Sequence, residues 1–344
     1  FIGLLYIIID RKKILFDKFY IMILCFFIYE FLGSSINIFN SGVEVKYSYI
    51  GRSIMVMPFL LAYHVGISHE KTYFLNKNIE SSLFIISMIM CSISILFFMF
   101  KNEFIAGTNR IYHEDVFILC GMMMVFFIRK KKNIYISLFF LIGTLATAKN
   151  TSYLVVMISI LLIFIIFLNA KKKRYDAVRN TKIVIAFIFI FTFIPILIFL
   201  LIERETYLPS GSIDVRSELY EIRISEFLNS PIVGDMFMSS PIIDGFWAEI
   251  PSHSDILDIA AAGGGVALLL LFIPIGYTVY YGMNILQKTK DISYIYMYSI
   301  LLFVILIMSF NPLLSRPYHS IFLWISLGFT LGKINRFYNA QAIQ

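Results

Sequence analysis

Long, uninterrupted apolar runs separated by short polar connections dominate the chain. Runs of about 17–25 apolar residues match the length that an α-helix needs to cross the hydrocarbon layer of a bilayer. The pattern predicts membrane-spanning helices over 19–39, 48–67, 79–100, 112–128, 134–150, 151–169, 183–202, 256–282, 293–310 and 318–335. Residues 1–9 resemble the end of another such helix. Because the chain begins with Phe1 inside an apolar run, we expect the natural N-terminus to be missing.

Basic residues mark one side of these predicted helices. Clusters at 11–13, 129–132, 171–182, 288–290 and 333–336 alternate with connections that are poor in Lys and Arg. Because basic connections tend to stay in the cytoplasm, the C-terminus is expected there. The formal net charge of +7 is then a signal of membrane topology and not of a nucleic-acid-binding surface.

Composition narrows the fold class further. With 59% hydrophobic and 15% charged residues, a water-soluble domain of this length is excluded. Unbroken apolar runs favour helices over the alternating strands of a membrane barrel. Cys25, Cys91 and Cys120 all lie in apolar runs, which indicates buried small side chains and not disulfides or metal ligands. The sequence therefore predicts an all-α integral membrane protein, a polytopic bundle of about 10–12 transmembrane helices.

A single long connection, residues 203–255, divides the predicted N-terminal helices of 1–202 from the C-terminal helices of 256–344. The charge pattern places it outside the cytoplasm, and long connections in compact proteins are usually functional. Its stretch 213–228 mixes apolar residues with charges, which predicts an amphipathic helix on the outer membrane surface, ended by Pro231.

Four outward cations are candidates for binding an anion: Arg110, Lys149, Arg216 and Arg223. Each opposes the usual bias of basic residues toward the cytoplasm, so a specific anion would explain its position. Simpler explanations stay open. Arg216 and Arg223 could pair with glutamates on their own helix, Lys149 could extend along the apolar surface, and Arg110 could neutralise nearby carboxylates.

His253 is the candidate for proton transfer. Ser252 and Asp255 form a capping-box pattern, which predicts a helix that starts here with His253 in its first turn. A helix N-terminus at a membrane surface also attracts anions. Glu249 and Asp255 are secondary candidates, although Asp255 fits a helix cap better than a catalyst. Glu30 is a further candidate because acids inside membrane spans are often functional.

Three segments stand out as an ordered set. They are the turn Ala-Lys-Asn at 148–150, the loop helix with Arg216 and Arg223 running into Asn-Ser-Pro-Ile-Val-Gly at 229–234, and the His253 segment before a span with glycines at 263–265. Together, over about residues 105–285, they resemble the O-antigen polymerase and O-antigen ligase superfamily of bacterial envelope enzymes. Two positions depart from the family pattern: Ser254 stands where Asn is usual, and the Lys-Asn pair at 149–150 stands where Ser-Arg is frequent.

The resemblance implies a membrane glycosyltransferase in the bacterial cytoplasmic membrane, acting at its outer face on glycans linked to undecaprenyl pyrophosphate. Departure of the pyrophosphate builds negative charge that arginine and lysine can stabilise, so Arg216, Arg223, Lys149 and Arg110 are the candidates for binding it. His253 is the leading candidate for taking the proton of the attacking hydroxyl. No cofactor or metal is implied, and the outer connections hold no Asp-x-Asp pair. The partners would be the lipid-linked glycan, membrane lipid and, as a candidate, a chain-length regulator protein. We favour a polymerase over a ligase that transfers the glycan to the lipid A core; a sugar or lipid transporter is the alternative of a different class.

Overall fold

A computed structural model describes residues 17–41, 56–69, 84–96, 134–146, 212–237, 254–286, 291–309, 313–314 and 317–342. Regular structure in these residues is helical, with no strand. The helices are α1 Lys18–Ser41, α2 Leu61–His69, α3 Phe84–Leu96, α4 Ile134–Ala146, α5 Ser212–Asn229, α6 Asp255–Leu286, α7 Ile292–Met308 and α8 Pro317–Ala342. A 3-10 turn, Met57–Leu60, precedes α2.

Most predicted helix positions that fall in the described residues are confirmed. Helices α1, α6, α7 and α8 each begin one residue before the predicted starts at 19, 256, 293 and 318. Asp17 explains the start of α1, because its Oδ1 accepts hydrogen bonds from the backbone N–H groups of Phe19 and Tyr20, both at 2.9 Å. The predicted spans 112–128, 151–169 and 183–202 lie outside the described residues.

The predicted span 48–67 differs from the structure in its described part. A 3-10 turn with Pro58 in its first positions precedes α2, so residues 56–69 are not one uninterrupted α-helix. Proline lacks a backbone N–H and fixes its own φ, which suits the start of a helix and interrupts its interior. The apolar pattern continues through Pro58 and therefore could not reveal this boundary.

Two described helices are long and apolar enough to cross a membrane, judged by length and composition: the Lys18–Ile36 part of α1, and α6. Several helices also expose apolar side chains at spacings of three, four or seven residues. The exposed positions are Ile21, Ile28 and Leu32 on α1, Ile85, Ile89, Ile93 and Leu96 on α3, Leu138 and Ile142 on α4, and Val266, Leu269 and Ile273 on α6. This spacing gives each helix an apolar stripe that the other described residues leave exposed.

The chain forms two compact units, each discontinuous in sequence. The first comprises Phe1–Ala62, Ile188–Tyr277 and Met308–Ile321, and so holds α1, α5 and the first part of α6. The second comprises Tyr63–Phe187, Thr278–Ile307 and Phe322–Gln344. The two units are defined by which residues contact each other. The predicted boundaries at 202 and 255 instead separate membrane helices from an outer connection, and they stay a prediction.

Helix α7 is the central helix among the described residues of the second unit. Tyr294, Tyr298, Leu301, Phe303 and Val304 on it are fully buried. The hydroxyls of Tyr294 and Tyr298 donate to the carbonyls of Gly282 at 2.8 Å and Val279 at 2.7 Å, which are on α6. Tyrosines at these positions therefore bury their rings without leaving their hydroxyl groups unbonded.

Candidate functional site

Helix α6 is broken at Gly264, nine residues after its start. Gly264 has φ 61° and ψ −161°, a conformation essentially restricted to glycine. In a continuous α-helix the N–H groups of Gly265 and Val266 would donate to the carbonyls of Ala261 and Ala262, four residues earlier. The break separates these two donors from these two acceptors, so four backbone groups need other partners.

The segment after helix α5 supplies those partners. Asp235 N–H donates to the Ala261 carbonyl at 3.0 Å, and Phe237 N–H donates to the Ala262 carbonyl at 2.8 Å. In the opposite direction, Gly265 N–H donates to the Pro231 carbonyl at 2.8 Å and Val266 N–H donates to the Ile232 carbonyl at 3.1 Å. We call residues 230–237 the inserted turn. Four hydrogen bonds between this turn and α6 thus replace two helical hydrogen bonds of α6.

Glycines make this close approach possible at both backbones. A Cβ atom on Gly234 would lie 2.6 Å from the carbonyl oxygens of Ala261 and Ala262, and one on Gly264 would lie 2.5 Å from the backbone of Ile232. Gly234 also has a positive φ of 63°. The motif Pro-Ile-Val-Gly at 231–234 and the glycines at 263–265 therefore meet in one structural unit.

Helix α1 supports the other side of the inserted turn. The hydroxyl of Tyr29 donates to the Val233 carbonyl at 2.7 Å, and its ring packs edge-on against Phe237 with centroids 5.2 Å apart. A Cβ atom on Gly33 would lie 2.8 Å from the Met236 carbonyl oxygen, so glycine is needed at that position as well. The predicted candidate Glu30, next to Tyr29, is buried on α1.

A buried ion pair provides a second connection between α5 and α6. Arg223 Nε lies 3.1 Å from Asp258 Oδ1, and Arg223 Nη1 donates to Glu226 Oε2 at 2.6 Å. The side chains of Arg223 and Asp258 are only 3% and 5% exposed. Breaking a buried pair of this kind costs about 3–5 kcal/mol, because one charge stays buried without compensation. Arg223 therefore fixes α5 against α6.

The start of α6 differs in two respects from the predicted capping box: its N-cap residue is another serine, and position 253 precedes the helix instead of lying in its first turn. The helix begins at Asp255, and Ser254 Oγ accepts a hydrogen bond from Leu257 N–H at 3.3 Å, so Ser254 is the N-cap where Ser252 was expected. The Asp255 carboxylate instead accepts hydrogen bonds from the backbone N–H groups of Leu313 at 2.6 Å and Leu314 at 2.9 Å. It joins the α6 N-terminus to the segment before α8.

Helix α5 matches its predicted position, because the stretch 213–228 lies within Ser212–Asn229 and the helix ends two residues before Pro231. The buried face of this helix contains a charged residue as well as apolar ones. Leu219 and Arg223, one turn apart, are both buried, whereas Ile224 and Leu228 are exposed. An arginine can take an inward position here because Asp258 and Glu226 neutralise it.

The remaining predicted site residues are only partly described. Arg216 lies on α5, two turns before Arg223. His253, Lys149, Arg110 and Glu249 lie outside the described residues. Their predicted roles stay predictions. Within the described part of the chain, no group of three His, Cys, Asp or Glu side chains is arranged to hold a metal ion.

Asp235 is a candidate that the sequence reasoning did not select. It is half-buried in the inserted turn, between Gly234 and two further residues of positive φ, Met236 at 52° and Phe237 at 58°. Burial raises the pKa of the Asp235 carboxyl, and the nearby charge of Arg223 opposes that shift. A signal was present in the sequence, since Asp235 is the only ionisable residue of 230–237 and follows directly on the Pro-Ile-Val-Gly step.

Comparison with protein-family models finds no family that matches the chain, and comparison with curated proteins finds no match.

Proposed function

We propose that this chain is a polytopic membrane glycosyltransferase that joins glycan repeat units carried on undecaprenyl pyrophosphate at the outer face of the bacterial cytoplasmic membrane. The observation that carries the proposal is the insertion of residues 231–237 into the break of α6. Parts of two of the three segments behind the resemblance to O-antigen polymerases and ligases, the Pro-Ile-Val-Gly step at 231–234 and the glycines at 263–265, thereby become one unit. Chance similarity of separate short motifs would not require them to meet.

A membrane location is supported by the apolar stripes on α1, α3, α4 and α6. Stripes of this kind are unfavourable in water but are favourable against lipid chains. The inserted turn is compatible with that location. Backbone groups in or next to the hydrocarbon layer need partners within the protein, and all four groups released by the break at Gly264 have them.

The proposed chemistry needs positive charge at the leaving group and an acceptor for one proton. Pyrophosphate departure builds negative charge that arginine and lysine stabilise without proton transfer. We assign this task to Arg216, Lys149 and Arg110, and we assign Arg223 the task of positioning α5, because its guanidinium is buried between Asp258 and Glu226. His253 is the candidate from the sequence for accepting the proton of the attacking hydroxyl.

A transporter is the second candidate, because transporters often bind their substrates at broken helices. The break in α6 has that form. In such proteins, however, the freed helix ends face the substrate, whereas here the backbone groups of Ala261, Ala262, Gly265 and Val266 bond the chain's own loop. The filled break favours a structural joint over a substrate site, and so favours the transferase.

Deletion of the gene, with separation of the surface polysaccharide on a gel, tests the proposal. A polymerase predicts that a single repeat unit remains on the lipid A core or other acceptor, and that the wild-type gene restores the ladder. Lipid-linked chains of normal length with no capped core would indicate the ligase instead. Accumulation of repeat units at the cytoplasmic face, detected by their resistance to external glycosidase, would indicate a transporter. An unchanged ladder would refute all three.

A further inference from the structure

The carboxylates of α5, α6 and the inserted turn differ sharply in what they bind. Among those with described side chains, Glu226 and Asp258 are engaged by Arg223, and Asp255 is engaged by two backbone N–H groups. Glu221 is exposed on the outer surface of α5. Asp235 alone combines partial burial with a place on the inserted turn. It is therefore the described carboxylate best suited to accept a proton from a substrate.

The backbone around Asp235 is held in an unfavourable conformation. Met236 and Phe237 have φ values of 52° and 58°, and a non-glycine residue in this region costs on the order of 1–3 kcal/mol. Hydrogen bonds to α6 on both sides, from Asp235 N–H and Phe237 N–H, keep the segment in place. Strain that the surrounding structure maintains is often found where a side chain must be held at one position for function.

The level of Asp235 along α6 fits a lipid-linked pyrophosphate. The part of α6 after the break, residues 265–286, spans about 33 Å at 1.5 Å per residue, which matches a hydrocarbon layer of about 30 Å. Asp235 bonds Ala261, which lies on the short part of α6 before the break. The carboxylate then lies near the boundary of hydrocarbon and headgroups, where the phosphates of a lipid carrier lie.

From this geometry we infer that Asp235 is the catalytic base of the proposed glycosyl transfer. The hydroxyl oxygen of the acceptor sugar forms a bond to the anomeric carbon of the donor, while the bond from that carbon to the pyrophosphate oxygen breaks and its electron pair leaves with the pyrophosphate. The hydroxyl proton passes to the Asp235 carboxylate. The inference rests on the proposed function and gives Asp235 the role that the sequence assigned to His253, which would then bind substrate.

The elements packed against the turn carry other charged and titratable groups. They are Arg223 and Glu226 on α5, Asp255 and Asp258 on α6, and Tyr29 and Glu30 on α1, and among them the charge of Arg223 acts on Asp235. Burial raises the pKa of Asp235 and Arg223 partly opposes this. A raised pKa increases the basicity of the carboxylate toward the hydroxyl, and protonation at low pH removes the base.

Asp235→Asn in purified, reconstituted protein tests the role, because the amide keeps the shape of the carboxylate and cannot accept the proton. The donor is the lipid-linked repeat unit extracted from the deletion strain. We expect kcat to fall by about 10²–10⁴ while the Kd for the donor changes less than threefold, in keeping with loss of a general base. Asp235→Glu, which keeps the carboxylate, should retain more activity than Asp235→Asn.

Stability and pH dependence separate catalysis from structure. A carboxyl whose folded pKa is raised is destabilising when ionised, so Asp235→Asn should keep or raise Tm at neutral pH. The fall of wild-type activity at low pH should disappear in Asp235→Asn and persist in the slower His253→Ala. Wild-type turnover by Asp235→Asn, or a joint fall of Tm, donor affinity and rate, would overturn the inference. Absence of turnover by the wild-type protein would instead refute the proposed function.

Discussion

Gly264→Ala tests whether the inserted turn is fixed by the break in α6. The native φ of 61° and ψ of −161° are accessible to glycine and strongly unfavourable for alanine. The new Cβ would also lie 2.5 Å from Gly234 N and from the carbonyl carbon and oxygen of Ile232. All three are backbone atoms, so none of them can rotate away as the end of a flexible side chain could.

The Gly264→Ala variant can respond in two ways. The response that costs less free energy determines how much stability is lost. If the break is kept, the strained conformation costs on the order of 1–3 kcal/mol before the steric contacts are relieved. If the turn is expelled, four hydrogen bonds to the loop are lost and two helical bonds of α6 re-form. The net loss of two bonds is worth about 1–3 kcal/mol. Both responses predict a measurable loss of about the same size.

Gly276→Ala is the matched control on the same helix, because a Cβ there meets nothing within 4 Å. Alanine favours helix by up to about 1 kcal/mol over glycine, so this variant should be neutral or stabilising. The measurements are thermal unfolding in detergent and amide hydrogen exchange of residues 230–237. We expect a lower Tm and faster exchange at Asp235 and Phe237 only in Gly264→Ala. Equal behaviour of the two variants in both measurements would refute the argument for the inserted turn.

Three further measurements test the ion pair and the membrane placement. Asp258→Asn should lower stability by about 3 kcal/mol, because the buried Arg223 loses the charge of Asp258. Replacing both members of the pair by leucine or methionine should recover most of that loss, and an additive double variant would argue against coupling. The side chain of Ile232 in the inserted turn is 70% exposed. A fluorophore attached at Ile232→Cys should therefore be quenched by brominated lipid in nanodiscs more strongly than a fluorophore attached at Glu221→Cys. Equal quenching of the two would contradict a turn that faces lipid. In intact cells Glu221→Cys should react with a membrane-impermeant thiol reagent and Asn180→Cys should not, and reaction at position 180 would reverse the predicted topology.

Helix positions were largely predictable, because the signals that set them are local. The start of α6 follows from serines and an acidic first turn at the edge of an apolar run, and the end of α5 follows from Pro231. The exact cap residue was not predictable, since Ser252 and Ser254 both offer a suitable hydroxyl. The interruption near Pro58 was not predictable from the apolar pattern, which continues through the proline without a change.

The joint between the inserted turn and α6 was not predictable from periodicity. A hydrophobic pattern reports which side chains avoid water, whereas the joint consists of backbone hydrogen bonds between residues about 30 positions apart. The three glycines at 263–265 indicated a close approach but not its partner. The inward position of Arg223 was hidden for a similar reason: a charged residue among glutamates on a loop helix suggests an exposed pair until Asp258 is known to face it.

The two connections between α5 and α6 differ in chemistry and act at neighbouring levels of the same helix. Arg223 contacts Asp258, in the first turn of α6, and the inserted turn binds Ala261 to Val266, in the next two turns. One connection through a single point would let α5 rotate about it, whereas a second connection a turn further along removes that freedom. Arg216 on α5 and Asp235 on the inserted turn are therefore carried by one braced segment. Under the proposed function, with Asp235 as the base, the enzyme must hold a departing pyrophosphate and accept a proton in the same step. The positive charge and the base then need a fixed separation, and the two connections fix the segment that carries both.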